Sequence, residues 1–225
     1  MDSYEIEIKS LLGGKEVADE LKRKLKEVDP SLKLISQNSQ LNHYFIGGDL
    51  EKLYENVSEY IPDTTREQFR KIIKEARDVS VRSRWVNGTA LLVLKGSIDD
   101  TTSANGISRI EFEEAVSGKS LEELDELILG AEFKYQAKWS REREEYACKG
   151  INVSIDKNAG YGYLAEFEKI VDDSGKAEDA QAELRSLMGE VGAVELAQDR
   201  LERMFAYYND NWREFYGTDK IFVIE

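Results

Sequence analysis

The sequence predicts an α+β fold in which charged strand faces share one polar interior and apolar strand faces turn outward onto helices. Tyr4-Glu5-Ile6-Glu7-Ile8-Lys9 alternates apolar and charged residues with period two. As a strand it sends Glu5, Glu7 and Lys9 to one face and Tyr4, Ile6 and Ile8 to the other. The pattern then recurs in Val81-Arg82-Ser83-Arg84-Trp85, in Arg109-Ile110-Glu111-Phe112-Glu113 and in Ala165-Glu166-Phe167-Glu168. A solvated strand face mixes Thr, Ser, Lys and Glu loosely, and like charges on neighbouring positions are mildly unfavourable. Four strands with charged residues at i and i+2 therefore point to one shared lining. Between the strands lie segments with apolar residues three or four apart, the spacing of amphipathic helices.

Taken in order, Gly13-Gly14 ends the first strand, and Val17, Leu21, Leu25 and Val28 predict a helix over 15–28, stopped by Asp29-Pro30. Gly13-Gly14-Lys15 lacks the spacing and the hydroxyl residue of a phosphate loop and reads as a turn. Residues 32–37 and 41–46 read as two strands joined by the polar Asn38-Ser39-Gln40. Two helices are expected between Asp49 and Arg77, separated by Pro62-Asp63, with Thr64 or Thr65 capping the second. Asn87-Gly88 marks a hairpin between 79–85 and 89–96, with Arg82 and Arg84 on one strand and Lys95 on the other.

The polar stretch 97–106 reads as a solvated, mobile loop, followed by a strand over 109–116. Leu121, Leu124, Leu127 and Ile128 predict a short helix ending at Gly130. Strands over 133–146, 151–156 and 163–171 complete the β region, and helices over 177–191 and 194–209 with a short strand at 221–224 form the tail. The tail's aromatic residues (Phe205, Tyr207, Tyr208, Trp212, Phe215, Tyr216) suit core packing first, with a cover over one end or a dimer surface as the other roles. No repeat or linker interrupts the chain, so a single domain over 1–225 is expected, with strands over about 3–171 and a helical tail over about 176–216.

Composition removes several classes of function. A net charge of −14 argues against a nucleic-acid binder, which would present a basic face. The single cysteine, Cys148, permits no internal disulfide and fits a reducing compartment, and Cys148 with the single histidine, His43, makes neither a zinc site nor a catalytic triad. No apolar run reaches the roughly 18 residues of a membrane span and no secretory leader is visible, so a cytoplasmic location is expected.

The ordered set Glu5-x-Glu7-x-Lys9, Arg82-x-Arg84, Lys95, Arg109-x-Glu111-x-Glu113, Arg143-x-x-Tyr146, Asp156 and Glu166-x-Glu168 resembles the CYTH superfamily, the triphosphate tunnel metalloenzymes. The resemblance runs from residue 4 to about 168. It implies a closed antiparallel β-barrel whose polar interior is a tunnel for a triphosphate-containing small molecule. One departure is Tyr44-Phe45-Ile46-Gly47-Gly48-Asp49, which keeps the aromatic pair but not the motif that follows it in relatives.

A triphosphate carries about four negative charges, and guanidinium forks match its oxygens in bidentate geometry. Lys9, Arg82, Arg84, Lys95, Arg109 and Arg143 are the phosphate-binding candidates. Mg²⁺ or Mn²⁺ takes oxygen ligands from one or two carboxylates, phosphates and water. Glu5, Glu7, Glu166 and Glu168 are the first ligand candidates, while Glu111, Glu113 and Asp156 are either further ligands or groups that orient the arginines. The expected reaction is metal-assisted hydrolysis of inorganic tripolyphosphate or an organic triphosphate, with Lys9, Glu7 and Glu168 nearest the chemistry. Two alternatives stay open: a class IV adenylate cyclase making cyclic AMP and pyrophosphate, and a module that binds polyphosphate or nucleotide without turnover. Lys138, Arg141 and Lys220 are left undecided as site members.

Overall fold

The structure, a computed structural model, describes residues 4–76, 78–97 and 109–224, without the side chains of Tyr4, Ser97, Arg109, Ile110 and Ser174. Its eight strands are β1 (Tyr4–Gly13), β2 (Lys33–Gly47), β3 (Val79–Val86), β4 (Thr89–Ser97), β5 (Arg109–Ala115), β6 (Phe133–Cys148), β7 (Ile151–Asn158) and β8 (Gly162–Val171). The helices are α1 (Lys15–Val28), α2 (Leu50–Val57), α3 (Asp63–Glu75), α4 (Leu121–Gly130), α5 (Ala177–Val191) and α6 (Gln198–Phe215). The strands form one antiparallel sheet in the order β1-β8-β7-β6-β2-β3-β4-β5, an α+β fold as predicted. The chain divides into two compact units, the first built from residues 4–39 and 140–224 and the second from 40–97 and 109–139.

In the first unit, period two sorts β1 as expected. Ile6 and Ile8 are buried with Ala165 and Phe167 of β8 and Val153 and Ile155 of β7. Leu21 and Leu25 of α1 and Leu184, Leu187 and Met188 of α5 cover them. Each such side chain contributes about 1.5–3 kcal/mol when fully buried, so this face fixes which way the charged face points. Helix α5 ends at Gly192, whose φ of 68° terminates it in the left-handed region. The chain then stays extended, with the Leu196 N–H donating to the Lys9 carbonyl at 2.7 Å, so α6 starts later than the expected 194 and runs on to Phe215. Of the tail's aromatic residues Tyr208 and Phe215 pack as core, while Phe205, Trp212 and Tyr216 are half-buried and Tyr207 is exposed; Phe215 also meets Phe222 at 5.2 Å between ring centroids. The strand expected at 221–224 reduces to one bridge, Gly160 to Ile221, because the Gly160 backbone is the only neighbour that pairs with it among the described residues.

In the second unit, Phe45, Val81, Leu92, Leu94 and Phe112 pack with Leu53, Phe69, Ile72, Leu124 and Ile128 of the helices. The β3–β4 hairpin turns at Asn87 and Gly88, both with positive φ (51° and 83°), the conformation that dipeptide favours. Asp49 caps α2, accepting from the N–H groups of Glu51 and Lys52. Helix α3 begins at Asp63 without a side-chain cap; instead the Thr65 hydroxyl donates to the Pro62 carbonyl, so neither threonine plays the expected role. Helix α4 opens with a capping box, Ser120 and Glu123 each holding the other's backbone N–H.

The two strands expected over 32–46 are one strand, β2. Its ladder with β3 runs unbroken from Gln40 to Phe45, and Gln40 and Asn42 are buried. Their polarity serves an enclosed polar face, not a turn. The loop expected over 97–106 lies outside the described residues beyond the backbone of Ser97. Among the described residues, no helix is long and apolar enough to cross a membrane.

Candidate functional site

The register of β1 with β8 sets the first unit's polar face. Glu7 lies opposite Glu168 and Lys9 opposite Glu166, while Glu5 faces Ile170. Strands β7 and β6 extend the same face, pairing Glu166 with Ser154 and Asp156 with Arg143. Lys9 forms an ion pair with Glu7 and lies 3.6 Å from Glu166.

Arg143 organises this cluster. Its Nε donates to Asp156 Oδ1 at 2.6 Å, and its Nη2 donates to Asp156 Oδ2 and Glu166 Oε2, each at 2.6 Å. Arg141 Nη1 donates to the same Asp156 at 3.0 Å, which places Arg141 in the cluster. Asp156 is only 1% exposed, so two guanidinium groups neutralise a carboxylate that water barely reaches. Arg143 Nη1 has no hydrogen-bond acceptor among the described residues and approaches Glu145 only at 3.9 Å.

Burial pushes the Glu166 carboxyl up, but the charges of Lys9, Arg143 and Arg141 outweigh it and hold the group far below the usual carboxylate range. Burial pulls the Arg143 guanidinium down, and Glu166 and Asp156 more than restore it, so it stays charged. The face therefore carries fixed charges of both signs at neutral pH.

The second unit gathers its own charged set. Arg84 Nη1 donates to both oxygens of Glu113 at 3.0 and 2.8 Å, and its Nε donates to Asn42 Oδ1 at 2.8 Å. Lys95 pairs with Glu111, its cross-strand partner on β5. Glu111 and Glu113 thus hold cations in this state. Arg82 lies 4.5 Å over the Tyr44 ring and donates to Ser80 Oγ at 3.2 Å, with no ion pair among the described residues. The backbone of Arg109 pairs with Ser97, and its side chain lies outside the described residues. Lys138 meets Asp125 at 3.7 Å, and of Lys220 the backbone is what pairs, accepting from Gly160. Cys148 is buried, and burial raises its thiol, which suits a structural residue.

Asp125 is the buried carboxylate the sequence reading passed over. It sits four residues after Leu121 and three before Ile128, on the apolar face of α4, and an acid at that spacing was the available signal.

These features coincide with a known domain. The CYTH domain matches residues 63–200, more than half of the sequence. The chain belongs to the CYTH domain family. Several solved structures share this fold. The PH1012 protein of Pyrococcus horikoshii OT3 is 18% identical, with a TM-score of 0.60 over 85% of this chain and 92% of that one. A candidate adenylate cyclase from Vibrio parahaemolyticus is 13% identical, with a TM-score of 0.59 over 92% and 99% of the two chains. A candidate adenylyl cyclase from Hippeastrum, described as having a dominant triphosphatase activity, is 17% identical, with a TM-score of 0.52 over 90% and 95%. At these identities the likeness is one of fold. Among curated proteins none matches the chain.

Proposed function

We propose that this CYTH protein is a divalent-metal-dependent triphosphatase acting on inorganic tripolyphosphate or an organic triphosphate. The observation that carries the reading is the first unit's polar face, where Lys9, Arg141 and Arg143 alternate with Glu7, Asp156 and Glu166 on neighbouring strands. A surface of net charge −14 would repel a polyanion, so local cations must supply the attraction. Arg143 spends Nε and Nη2 on Asp156 and Glu166, while its Nη1 meets only Glu145 among the described residues, at 3.9 Å, which leaves Nη1 donors that a phosphate oxygen could take. Arg82, whose contacts are a ring face and a hydroxyl, is the second unit's best phosphate donor.

The donor set fits Mg²⁺ or Mn²⁺. Glu7 and Glu168 oppose each other directly, and a divalent ion would add to the positive charge that Lys9 already brings to Glu7. Among the described residues no three Asp, Glu, His or Cys groups converge as a ready-made cage, which suits an ion that keeps water and borrows phosphate oxygens. One or two of Glu7, Glu166 and Glu168 would hold it, with water and phosphate oxygens as its other ligands, and a bound ion supplies charge neutralisation of the phosphates. Lys9, held by Glu7 and Glu166, is placed to bind a terminal phosphate oxygen or the attacking water. Arg143 in turn fixes Glu166 and offsets charge that develops on the transferring group.

The test measures orthophosphate from tripolyphosphate, and cyclic AMP with pyrophosphate from ATP, with Mg²⁺ or Mn²⁺, in wild type and Glu166→Gln. Orthophosphate release that falls about 100-fold in the variant supports the triphosphatase and its metal site together. Cyclic AMP with pyrophosphate would replace it with a cyclase. Tight triphosphate binding without metal-dependent turnover would leave a binding module.

A further inference from the structure

Behind the arginines of the second unit lies a buried polar knot that no step above uses. Strand β3 alternates Arg82, Ser83 and Arg84, so Ser83 points away from the guanidinium face. The register sets His43 of β2 opposite Ser83, with Asn42 opposite Arg84 and Tyr44 opposite Arg82. Ser83 and His43 both reach the carboxylate of Asp125 on α4. The Ser83 hydroxyl donates to Oδ1, and His43 Nδ1 lies 2.7 Å from Oδ2. The Tyr135 hydroxyl of β6 donates to Oδ2 at 2.6 Å, and Lys138, 4.2 Å over the Tyr135 ring, stands 3.7 Å from it. His43 and Asp125 are each 3% exposed and Ser83 is fully enclosed.

We propose that Asp125 is a positioning residue that aims Arg82 and Arg84. An apolar residue on this helix face would pack adequately, whereas a carboxylate buried beneath two strands is costly unless fully satisfied. Here its hydrogen bonds grip the residue between the two arginines and the residue between their two strand-β2 contacts, Asn42 and Tyr44. Hydrogen bonds are directional, so they fix strand register and side-chain aim in a way that apolar contact does not. Burial pushes the Asp125 carboxyl up, but the bonds from His43, Ser83 and Tyr135 outweigh it and keep the acceptor ionised. An ionised carboxylate only accepts, so His43 carries its proton on Nδ1. The proposal rests on the triphosphatase reading only for what the arginines bind.

Two readouts test it in the full chain: the Nε–Hε NMR signals of Arg82 and Arg84 without ligand, and metal-free tripolyphosphate binding by calorimetry. Asp125→Asn keeps the volume but faces at least one donor with another donor. Ser83→Ala removes a single bond and serves if Asp125→Asn does not fold. Phe69→Leu, a core change in the same unit, is the control for lost stability alone. The expected result is a shifted or exchange-broadened Arg84 Nε–Hε signal and about tenfold weaker binding in Asp125→Asn. Ser83→Ala should give a smaller effect of the same kind, and Phe69→Leu none. Unchanged arginine signals in a folded Asp125→Asn, or the same changes in Phe69→Leu, overturn the proposal. Altered signals in a protein whose wild type ignores tripolyphosphate uphold the positioning role and refute the triphosphate reading instead.

Discussion

Gly162 opens β8 at the point where that strand meets the end of β1, and replacing it with alanine is the sharpest test of how the first unit's charged face is held. Its φ is +73°, and a Cβ built there would lie 2.3 Å from the Gly13 carbonyl oxygen. Two costs follow. A non-glycine residue in the left-handed region loses about 1–2 kcal/mol. The contact is backbone against Cβ with no flexible side chain to swing away, so the strands must separate, at about 1–3 kcal/mol more. Gly150 is the matched control: its φ is +78°, with nothing within 4 Å of the added carbon, so Gly150→Ala carries the first cost alone.

In a chain of this length, about 1–3 kcal/mol of difference is a melting temperature about 2–12 °C lower for Gly162→Ala than for Gly150→Ala. Thermal and urea unfolding followed by circular dichroism measure it. Because Tyr163 pairs with Gly13 three residues before Glu166 pairs with Lys9, the same substitution should also depress triphosphate turnover, while Gly150→Ala should not. Equal destabilisation by the two substitutions would refute the steric argument and leave backbone conformation as the whole effect.

Two further outcomes are expected. The Glu166 carboxyl lies below its usual 4.5 in the folded state, so its ion pairs contribute in full above about pH 4.5 and are lost as the pH falls below it. Urea unfolding should thus find Glu166→Gln less stable than wild type by about 1–3 kcal/mol at pH 7, a gap that narrows below pH 4.5; a constant gap would contradict the electrostatic account. Ser120→Ala removes one half of the α4 capping box and should cost about 1 kcal/mol, read by the same unfolding assay, and Ser120→Asp should restore most of it.

Much of this protein was legible in its sequence because the signals are local. Alternation in β1, Asn87-Gly88 in the hairpin and the 3.6-residue spacing of α1 and α4 each act within one element, and the structure places those elements where their residues put them. The charged faces were legible for the same reason, since strand parity alone sends Glu7 and Lys9, or Arg82 and Arg84, to one side. Which charge meets which was not. Asp156 serves two arginines because β6 and β7 happen to pair Arg143 with it, a register decided across the hairpin by packing on the other face.

Polarity misled where it was buried. Asn38-Ser39-Gln40 looked like a turn, yet Gln40 and Asn42 are enclosed and the strand runs through them, because hydrogen-bonded partners replace the water that their side chains would otherwise need. The same holds for Asp125, hidden among leucines. By itself the sequence determined most of the elements, their inward and outward faces and the family. Only the tertiary structure decided the pairings between distant charges, since a buried carboxylate is stable or ruinous according to partners that lie tens of residues away.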